Sequence, residues 1–234
     1  MNAARHINFT PADGATTVTT QSLAQLAKIG EMLANPVRFF HPDHTVAATG
    51  GLQEAQLVGL CSKNEIGKRL NAVLADRMGI ATLDLRPSAV SNDAFALVTA
   101  SDAAIDAFLR QVTAVCLQQS IRNCVLKADR ERVRAILGDD AYNTALREAP
   151  FFYADLAIVT DINHFADEPA KPALSVGATA VQNYVATIDS GLAQIFTWRL
   201  PRALIDRDAL LDTTQLKSFT RLLASKGPHK TGRV

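Results

Sequence analysis

The first residues that could do chemistry are two histidines, His41 and His44, which together could bind a metal ion. A zinc-binding pair on a helix is spaced i and i+4, and a third ligand has to come from elsewhere in the chain. Here the spacing is three residues, Pro42 lies between the histidines, and no cluster of cysteine or glutamate lies nearby. The segment is therefore interpreted as a turn, with Phe39 and Phe40 buried and the histidines partly exposed.

Residues 59–68 end in Gly67-Lys68, as a phosphate-binding loop does. Such a loop has a fixed glycine spacing, follows a strand, and continues with a serine or threonine that holds magnesium. In this chain the glycine spacing differs, Arg69 stands where the hydroxyl residue should be, and no strand is predicted before the loop. The sequence therefore argues against a nucleotide site.

Two clusters of titratable residues could serve in acid–base catalysis: Asp139 with Asp140, and His164 with Asp161 and Asp167. Asp139 and Asp140 are adjacent, so on a helix their side chains diverge by about 100° and do not converge on one substrate atom. Placement at a helix N-terminus explains them better. His164 lies near Asp161 and Asp167, but no nucleophile accompanies it in a known arrangement.

Cys124 is the remaining candidate nucleophile, because the nearby Arg122 could lower the pKa of its thiol. On a helix the two side chains point to different sides, so packing as a small core residue is favoured. If Cys116 and Cys124 share one helix, they lie about 12 Å apart along its axis, too far for a disulfide. With Cys61 they make an odd, sparse set, which indicates a reducing compartment. No catalytic, cofactor-binding or metal-binding residue is predicted, and an enzyme is not expected.

Composition sets the fold class. The chain has 234 residues, of which 48% are hydrophobic and 20% charged, and this balance is typical of a packed core. Its many alanines and leucines favour helix. The net charge is +1, from 24 basic and 23 acidic residues, whereas a nucleic-acid-binding domain is usually basic. We expect a mostly α fold, a single compact multi-helix domain, with a short strand or an extended segment near residues 81–86, and no binding to nucleic acid.

The domain boundaries follow from composition as well. Residues 1–20 are rich in threonine, alanine, proline and glycine and are predicted to be a flexible lead-in, residues 21–225 a helical domain, and residues 226–234 a flexible basic tail. Residues 173–198 carry one formal charge, Asp189, but polar residues interrupt them, so they do not read as a membrane span. No apolar signal core follows the N-terminus. We expect a soluble cytoplasmic protein without direct membrane insertion.

Several helices are predicted from apolar residues at three- and four-residue steps. The clearest begins after a cap at Ser101 or Asp102 and could continue through Ile121 and Val125. Its apolar face consists of Ile105, Phe108, Leu109, Val112 and Cys116. Another helix is expected from a cap at Asp129 to Gly138, and a long one over residues 174–196. The inward positions expected between residues 52 and 78 are Leu57, Leu60, Leu70, Val73 and Leu74.

The long helix carries almost no charge on any face. Such a helix is covered either by the rest of its own domain or by a partner protein. The second alternative would place a binding surface around Tyr184, Trp198 and Arg199, and tryptophan and arginine are over-represented among binding hot spots. Both alternatives stay open from the sequence.

An ordered series of segments resembles the SctK/YscK family of bacterial type III secretion. These segments are residues 35–42 (Asn-Pro-Val-Arg-Phe-Phe-His-Pro), 121–126 (Ile-Arg-Asn-Cys-Val-Leu), 137–142 (Leu-Gly-Asp-Asp-Ala-Tyr) and, after a long neutral helix, 199–201 (Arg-Leu-Pro). The resemblance spans roughly residues 35–225, and it does not include the first 20 residues or residues 50–100.

The resemblance implies a non-enzymatic adaptor of the injectisome. Such a protein is cytoplasmic, at the cytoplasmic face of the bacterial inner membrane, where it joins the sorting platform. It links the pods, built from the SctQ-type protein, to the cytoplasmic domain of the SctD-type inner-membrane ring protein. Through the pods it connects indirectly with the SctL stator and the SctN ATPase. No catalytic residue is carried over, because the family has no known catalytic chemistry.

An adaptor needs two distinct binding faces. The sequence assigns Phe39, Phe40 and His41 to one exposed patch, and Arg122, Trp198 and Arg199 to another. The opposing interpretation is that the aromatic residues fill the core. Two other function classes remain as alternatives: a secretion chaperone or exported effector, and an enzyme of unknown class.

Overall fold

The computed structural model describes residues 20–83, 85, 92–158, 171–204 and 213–228. Across these ranges the chain forms fourteen α-helices and no strand. The prediction of a mostly α fold is therefore confirmed. Near residues 81–86, the strand alternative is wrong for the described part, since Ile80–Thr82 is a 3-10 turn and Leu83 is extended without a strand partner.

The contacts group the chain into two compact units, a division that no sequence feature marked. Unit 1 comprises residues 1–99 and 186–202, and unit 2 comprises residues 100–185 and 203–234. The first six helices are α1 Thr20–Ala34, α2 Pro36–Phe39, α3 Pro42–Thr49, α4 Glu54–Cys61, α5 Asn64–Arg77 and α6 Asn92–Thr99. The others are α7 Asp102–Cys116, α8 Gln118–Arg122, α9 Lys127–Leu137, α10 Asp139–Arg147, α11 Ala149–Phe152, α12 Lys171–Ile188, α13 Ser190–Arg199 and α14 Thr213–Lys226.

In unit 1, proline and glycine mark the ends of three helices. Helix α1 ends at Ala34, because Asn35 precedes Pro36 and is pushed away from helical angles. Gly50 follows α3 with φ of 73°, and Gly79 follows α5 with φ of 70°, a left-handed conformation that glycine adopts without penalty.

Helices α4 and α5 pack closely, and residues 59–68 form the corner between them rather than a phosphate-binding loop. A Cβ at Gly67 would lie 2.5 Å from the Cys61 carbonyl oxygen, so only glycine fits. Of the inward positions expected here, Leu57 and Leu74 are buried and Leu60 and Leu70 half-buried. The expectation for Val73 is wrong, because its side chain is on the exposed face of α5.

In unit 2, the apolar face predicted for α7 is confirmed, with all five of its residues buried and Ser101 Oγ accepting a hydrogen bond from Ala104 N–H. The helix does not continue through Val125. It ends at Cys116, α8 ends at Arg122, and Val125 lies outside any helix. Consequently Cys116 and Cys124 do not share a helix.

A core cluster joins α7, α8, α9 and α10 beneath the turn between α8 and α9. Its buried members include Leu117, Ile121, Cys124, Val133, Ile136, Leu137, Tyr142 and Ala145. Gly138, with φ of 83°, ends α9, and Asp139 begins α10, as predicted. The expected start of α9 is wrong, because Leu126 rather than Asp129 is its N-cap.

The long helix predicted over residues 174–196 is two helices. Helix α12 ends at Ile188 and α13 begins at Ser190. Asp189, between them, is buried, and its Oδ1 accepts a hydrogen bond from Leu192 N–H at 2.9 Å. The one formal charge in this stretch is therefore a helix cap, because a short acidic side chain satisfies the free N–H groups of a helix start.

At the end of the described chain, Lys226 closes α14 and its Nζ lies 3.2 Å from Glu148 Oε1. Residues 229–234 of the predicted tail, and residues 1–19 of the predicted lead-in, lie outside the described residues. Among the helices that the structure describes, none combines the length and apolar character that crossing a membrane requires.

Candidate protein-binding surface

The two aromatic segments that the sequence placed in separate patches meet in unit 1. Phe40 is 4% exposed and Trp198 is 6% exposed, and their ring centroids are 5.2 Å apart. His41 N–H donates a hydrogen bond to the Trp198 carbonyl oxygen at 2.8 Å. These residues hold α13 against the α2–α3 corner, so the core interpretation applies to Phe40 and Trp198.

Both histidines of the possible metal pair are engaged by the protein itself. His41 Nδ1 accepts a hydrogen bond from Asp43 N–H at 3.2 Å, which caps α3. His44 Nε2 lies 3.0 Å from the Leu200 carbonyl oxygen, and burial lowers the pKa of His44 below its usual range. No group of three or more potential metal ligands occurs within the described ranges.

The remaining residues assigned to binding are also tied into their own units. Phe39 is half-buried, with Lys28 Nζ 4.4 Å above its ring. Arg199 is half-buried, and its Nη1 donates to the Val98 carbonyl oxygen at 2.7 Å. Tyr184, in unit 2, is buried and stacks on Phe219 with ring centroids 4.6 Å apart. Tyr184 therefore fills the core rather than an exposed surface.

The candidate catalytic groups have structural partners. Asp139 Oδ1 lies 2.6 Å from Arg134 Nε, and Asp140 accepts a hydrogen bond from Gln111 Nε2. Both aspartates lie in the first turn of α10, where carboxylates are favourable. His164, Asp161 and Asp167 lie outside the described residues.

The thiols are poor nucleophiles. Burial raises the pKa of Cys116 to about 12. Burial also raises the pKa of Cys124, the Asp129 carboxylate adds to this, and Arg130 opposes it. Since the thiolate is the reactive form, both cysteines stay protonated at neutral pH. All three cysteines, with the half-buried Cys61, are free.

One open cavity of about 440 Å³ lies in unit 1, beside the start of α13. Its lining consists of Met78, Gly79, Thr82, Leu83, Ser190, Gly191, Gln194 and Trp198. None of these side chains is a general acid, general base or strong nucleophile at neutral pH. The cavity therefore does not have the convergent titratable groups that an active site of the usual kind brings together.

The α8–α9 turn of unit 2 is a different kind of surface. Val125 is 83% exposed and Leu126 is 65% exposed, while Ile121 and Cys124 on either side of the break are buried in the core cluster. Arg122, at the end of α8, is also exposed, as the sequence analysis expected of its side chain. The chain thus alternates between anchoring residues and outward residues over this short stretch.

Exposed cationic residues precede and follow this aliphatic pair along the chain. Lys127 and Arg130 follow it on the first turn of α9, and Arg122 precedes it. We call Arg122, Val125, Leu126, Lys127 and Arg130 the 122–130 surface. An aliphatic side chain moved from water into an apolar contact gains about 1.5–3 kcal/mol, so this pair is a favourable contact for a partner.

Unit 2 exposes a second apolar pair in α11. Phe151 is 79% exposed and Phe152 is 55% exposed, whereas the next residue, Tyr153, is buried. The N–H groups of both phenylalanines donate to the Glu148 carbonyl oxygen, at 3.1 and 3.0 Å, so the short helix has a defined conformation.

Sequence reasoning missed both exposed apolar pairs. Val125 was placed in a continuing helix, and Phe151 and Phe152 received no role. A usable signal was present at 150–153, where three aromatic residues follow a proline in a row and cannot all face one core.

The sequence and the fold were also compared with known proteins. No family model matches this chain, no curated protein matches its sequence, and no solved structure matches its fold.

Proposed function

We propose that this chain is a non-enzymatic adaptor that binds other proteins, and that it works in the sorting platform of a type III secretion injectisome. The observation that carries the proposal is the exposed Val125–Leu126 pair beside Arg122. It lies within residues 121–126, one of the segments by which the chain resembles the SctK/YscK family.

The local packing supports a binding role for this turn. Ile121 and Cys124 anchor it to the core cluster, so the backbone that carries its outward side chains is positioned before a partner arrives. A preformed surface loses less conformational entropy on association than a mobile one. The fully buried centre of a protein interface is more apolar than its rim, and arginine is enriched at interfaces, so an exposed aliphatic pair beside an arginine fits a binding surface.

The second apolar pair supports an adaptor rather than a simple binding module. Phe151 and Phe152 expose aromatic surface from a different helix of unit 2. Glu148, whose carbonyl oxygen accepts hydrogen bonds from both phenylalanines, also forms an ion pair with Lys226. In the proposed role, one surface binds the SctQ-type pod protein and the other the SctD-type ring protein. The chain would then work in the cytoplasm, at the inner membrane, and reach the SctL stator and SctN ATPase only through the pods.

A pull-down tests this proposal directly. The tagged full chain is recovered from cells that make an injectisome, and the bound proteins are identified by mass spectrometry. We expect the pod protein, the ring protein or both, enriched over an unrelated tagged helical protein. Absence of both would contradict the adaptor proposal.

A further inference from the structure

We propose that the 122–130 surface docks an acidic amphipathic segment of a partner protein, in which carboxylates flank aliphatic or aromatic residues. This inference rests on the proposed function, because it specifies the partner chemistry of the surface that carries that proposal. It goes further by naming the charge and the pattern that the partner must have.

The backbone places the apolar and cationic groups next to each other. Arg130 N–H donates to the Leu126 carbonyl oxygen at 3.2 Å, so the two residues are one helical turn apart and share a face. Arg122 precedes Leu126 by four residues, a reach of at most about 14 Å at 3.3–3.6 Å per residue. The aliphatic pair therefore has an arginine on each side along the chain.

These arginines are available to a partner. Among the described residues, neither Arg122 nor Arg130 forms an ion pair. Lys127 Nζ lies 3.6 Å from Glu131 Oε1, but both side chains are largely exposed, and such pairs contribute little. A guanidinium binds a carboxylate with two parallel hydrogen bonds, so arginine favours carboxylate-bearing partners in particular.

The charge pattern favours a protein over a membrane surface. Residues 122–132 contain four cationic residues and two anionic ones, Asp129 and Glu131. Segments that bind anionic lipid usually carry about 4–8 basic residues in a cluster. Here Asp129 and Glu131 lie between the cationic residues and weaken the positive potential that would attract anionic lipid. They also require a partner whose charges are placed at matching positions, and the mobile headgroups of a lipid surface have no fixed positions. A segment with carboxylates at fixed spacing satisfies both arginines and covers Val125 and Leu126.

The experiment is site-specific photocrosslinking with the full chain. The photoreactive residue p-benzoylphenylalanine is incorporated at position 126, the protein is irradiated in a lysate of injectisome-making cells, and the crosslinked peptide is sequenced. The same protein carrying Arg122→Glu and Arg130→Glu is irradiated in parallel. The matched control carries Arg69→Glu and Arg221→Glu, which reverse two exposed arginines on α5 and α14 that form no ion pair within the described chain.

We expect a crosslinked peptide with at least two carboxylates within a helical turn or two of apolar residues. Reversal at 122 and 130 should lower the crosslink yield about tenfold, because two attractions become repulsions. The control reversal should leave the yield unchanged.

Three results would overturn the inference: a crosslinked peptide without carboxylates, a yield that the Arg122 and Arg130 reversals do not change, or no crosslink at all. Sedimentation of the protein with vesicles containing phosphatidylserine, abolished by the same reversals, would assign the surface to a membrane instead. In each case a wild-type pull-down that still recovers the pod or ring protein leaves the adaptor proposal standing and removes only the partner chemistry.

Discussion

The Phe40–Trp198 contact in unit 1 and the 122–130 surface in unit 2 invite comparison, because both lie in segments that the sequence connects with binding. The first contact is closed: its two rings lie against each other, and the His41 N–H is bonded to the Trp198 carbonyl. The second surface is open, since Val125 and Leu126 face outward over buried neighbours. The first holds helices together, whereas the second is exposed to solvent.

The difference shows that residue type alone does not identify a binding surface. Tryptophan, phenylalanine and arginine are common at hot spots, and this favoured Trp198 and Phe40. The same large rings also fill cores well. Val125 and Leu126 are ordinary core residues by type, but a helix break directs them outward.

Replacement of Trp198 should give the largest effect. Trp198→Ala leaves a cavity beside Phe40, and we expect the free energy of unfolding to fall by about 3–5 kcal/mol. Urea denaturation measures this. An unchanged unfolding midpoint, together with lost binding of a partner, would mean that Trp198 belongs to an interface. The Phe40–Trp198 contact would then be a binding surface rather than a contact that holds helices together.

The cap of α13 should give a smaller effect on the same unit. Asp189→Ala removes the acceptor for Leu192 N–H, and such caps contribute about 0.5–2 kcal/mol. Asp189→Asn keeps a capping oxygen and is the matched control. Equal stabilities of the two variants would show that the break between α12 and α13 does not depend on this hydrogen bond.

Thiol reactivity tests whether the core packing beneath the 122–130 surface is rigid. Burial raises the pKa of all three thiols, but Cys61 is half-buried whereas Cys124 and Cys116 are buried. With an aromatic disulfide reagent at pH 8, we expect Cys61 to react first, Cys124 slowly, and Cys116 only after denaturation. Rapid modification of Cys124, identified by peptide mapping, would mean that the turn opens readily and is not preformed.

The raised pKa of the Cys116 thiol also determines how the free energy of unfolding changes with pH. A buried thiol stays protonated in the folded state above pH 9, where the unfolded chain begins to ionise. The stabilisation by the neutral thiol is therefore complete below the unfolded pKa and is lost as pH rises towards about 12. Urea denaturation of Cys116→Ala should show a weaker loss of stability between pH 8 and pH 10 than the wild type; an identical loss would contradict this account.

The smallest effect on stability is expected from the exposed aliphatic pair itself. Val125→Ser with Leu126→Ser should change the free energy of unfolding by less than about 0.5 kcal/mol per residue, because surface substitutions away from packed groups are nearly neutral. Leu23→Ser with Val58→Ser is the matched control, since these side chains are 58% and 56% exposed. A large loss of stability in the first pair would place Val125 and Leu126 in the core instead.

The sequence predicts the helices better than their breaks. The α7 face follows from periodicity, and the end of α9 at Gly138 follows from the conformational freedom of glycine. The break at Asp189 was missed because an aspartate within an apolar run looks like a tolerated polar position. In the structure its carboxylate is buried and caps the start of α13.

The candidate surface was predictable only in part. Arg122 was expected to be exposed, and it is. Its aliphatic neighbours were not identified, because a valine and a leucine after a helix suggest further core. Their exposure depends on where α8 stops and α9 starts, which tertiary packing of Ile121 and Cys124 decides rather than local propensity.

Capture of partners by the Val125→Ser, Leu126→Ser variant tests the central claim most directly. In cells that make an injectisome, the account predicts that this folded variant recovers about tenfold less pod or ring protein than the wild type, by quantitative mass spectrometry, because burial of an aliphatic side chain contributes about 1.5–3 kcal/mol. The Leu23→Ser, Val58→Ser control should recover as much as the wild type. Undiminished capture by the first variant, with its stability unchanged, would contradict the assignment of the 122–130 surface to partner binding.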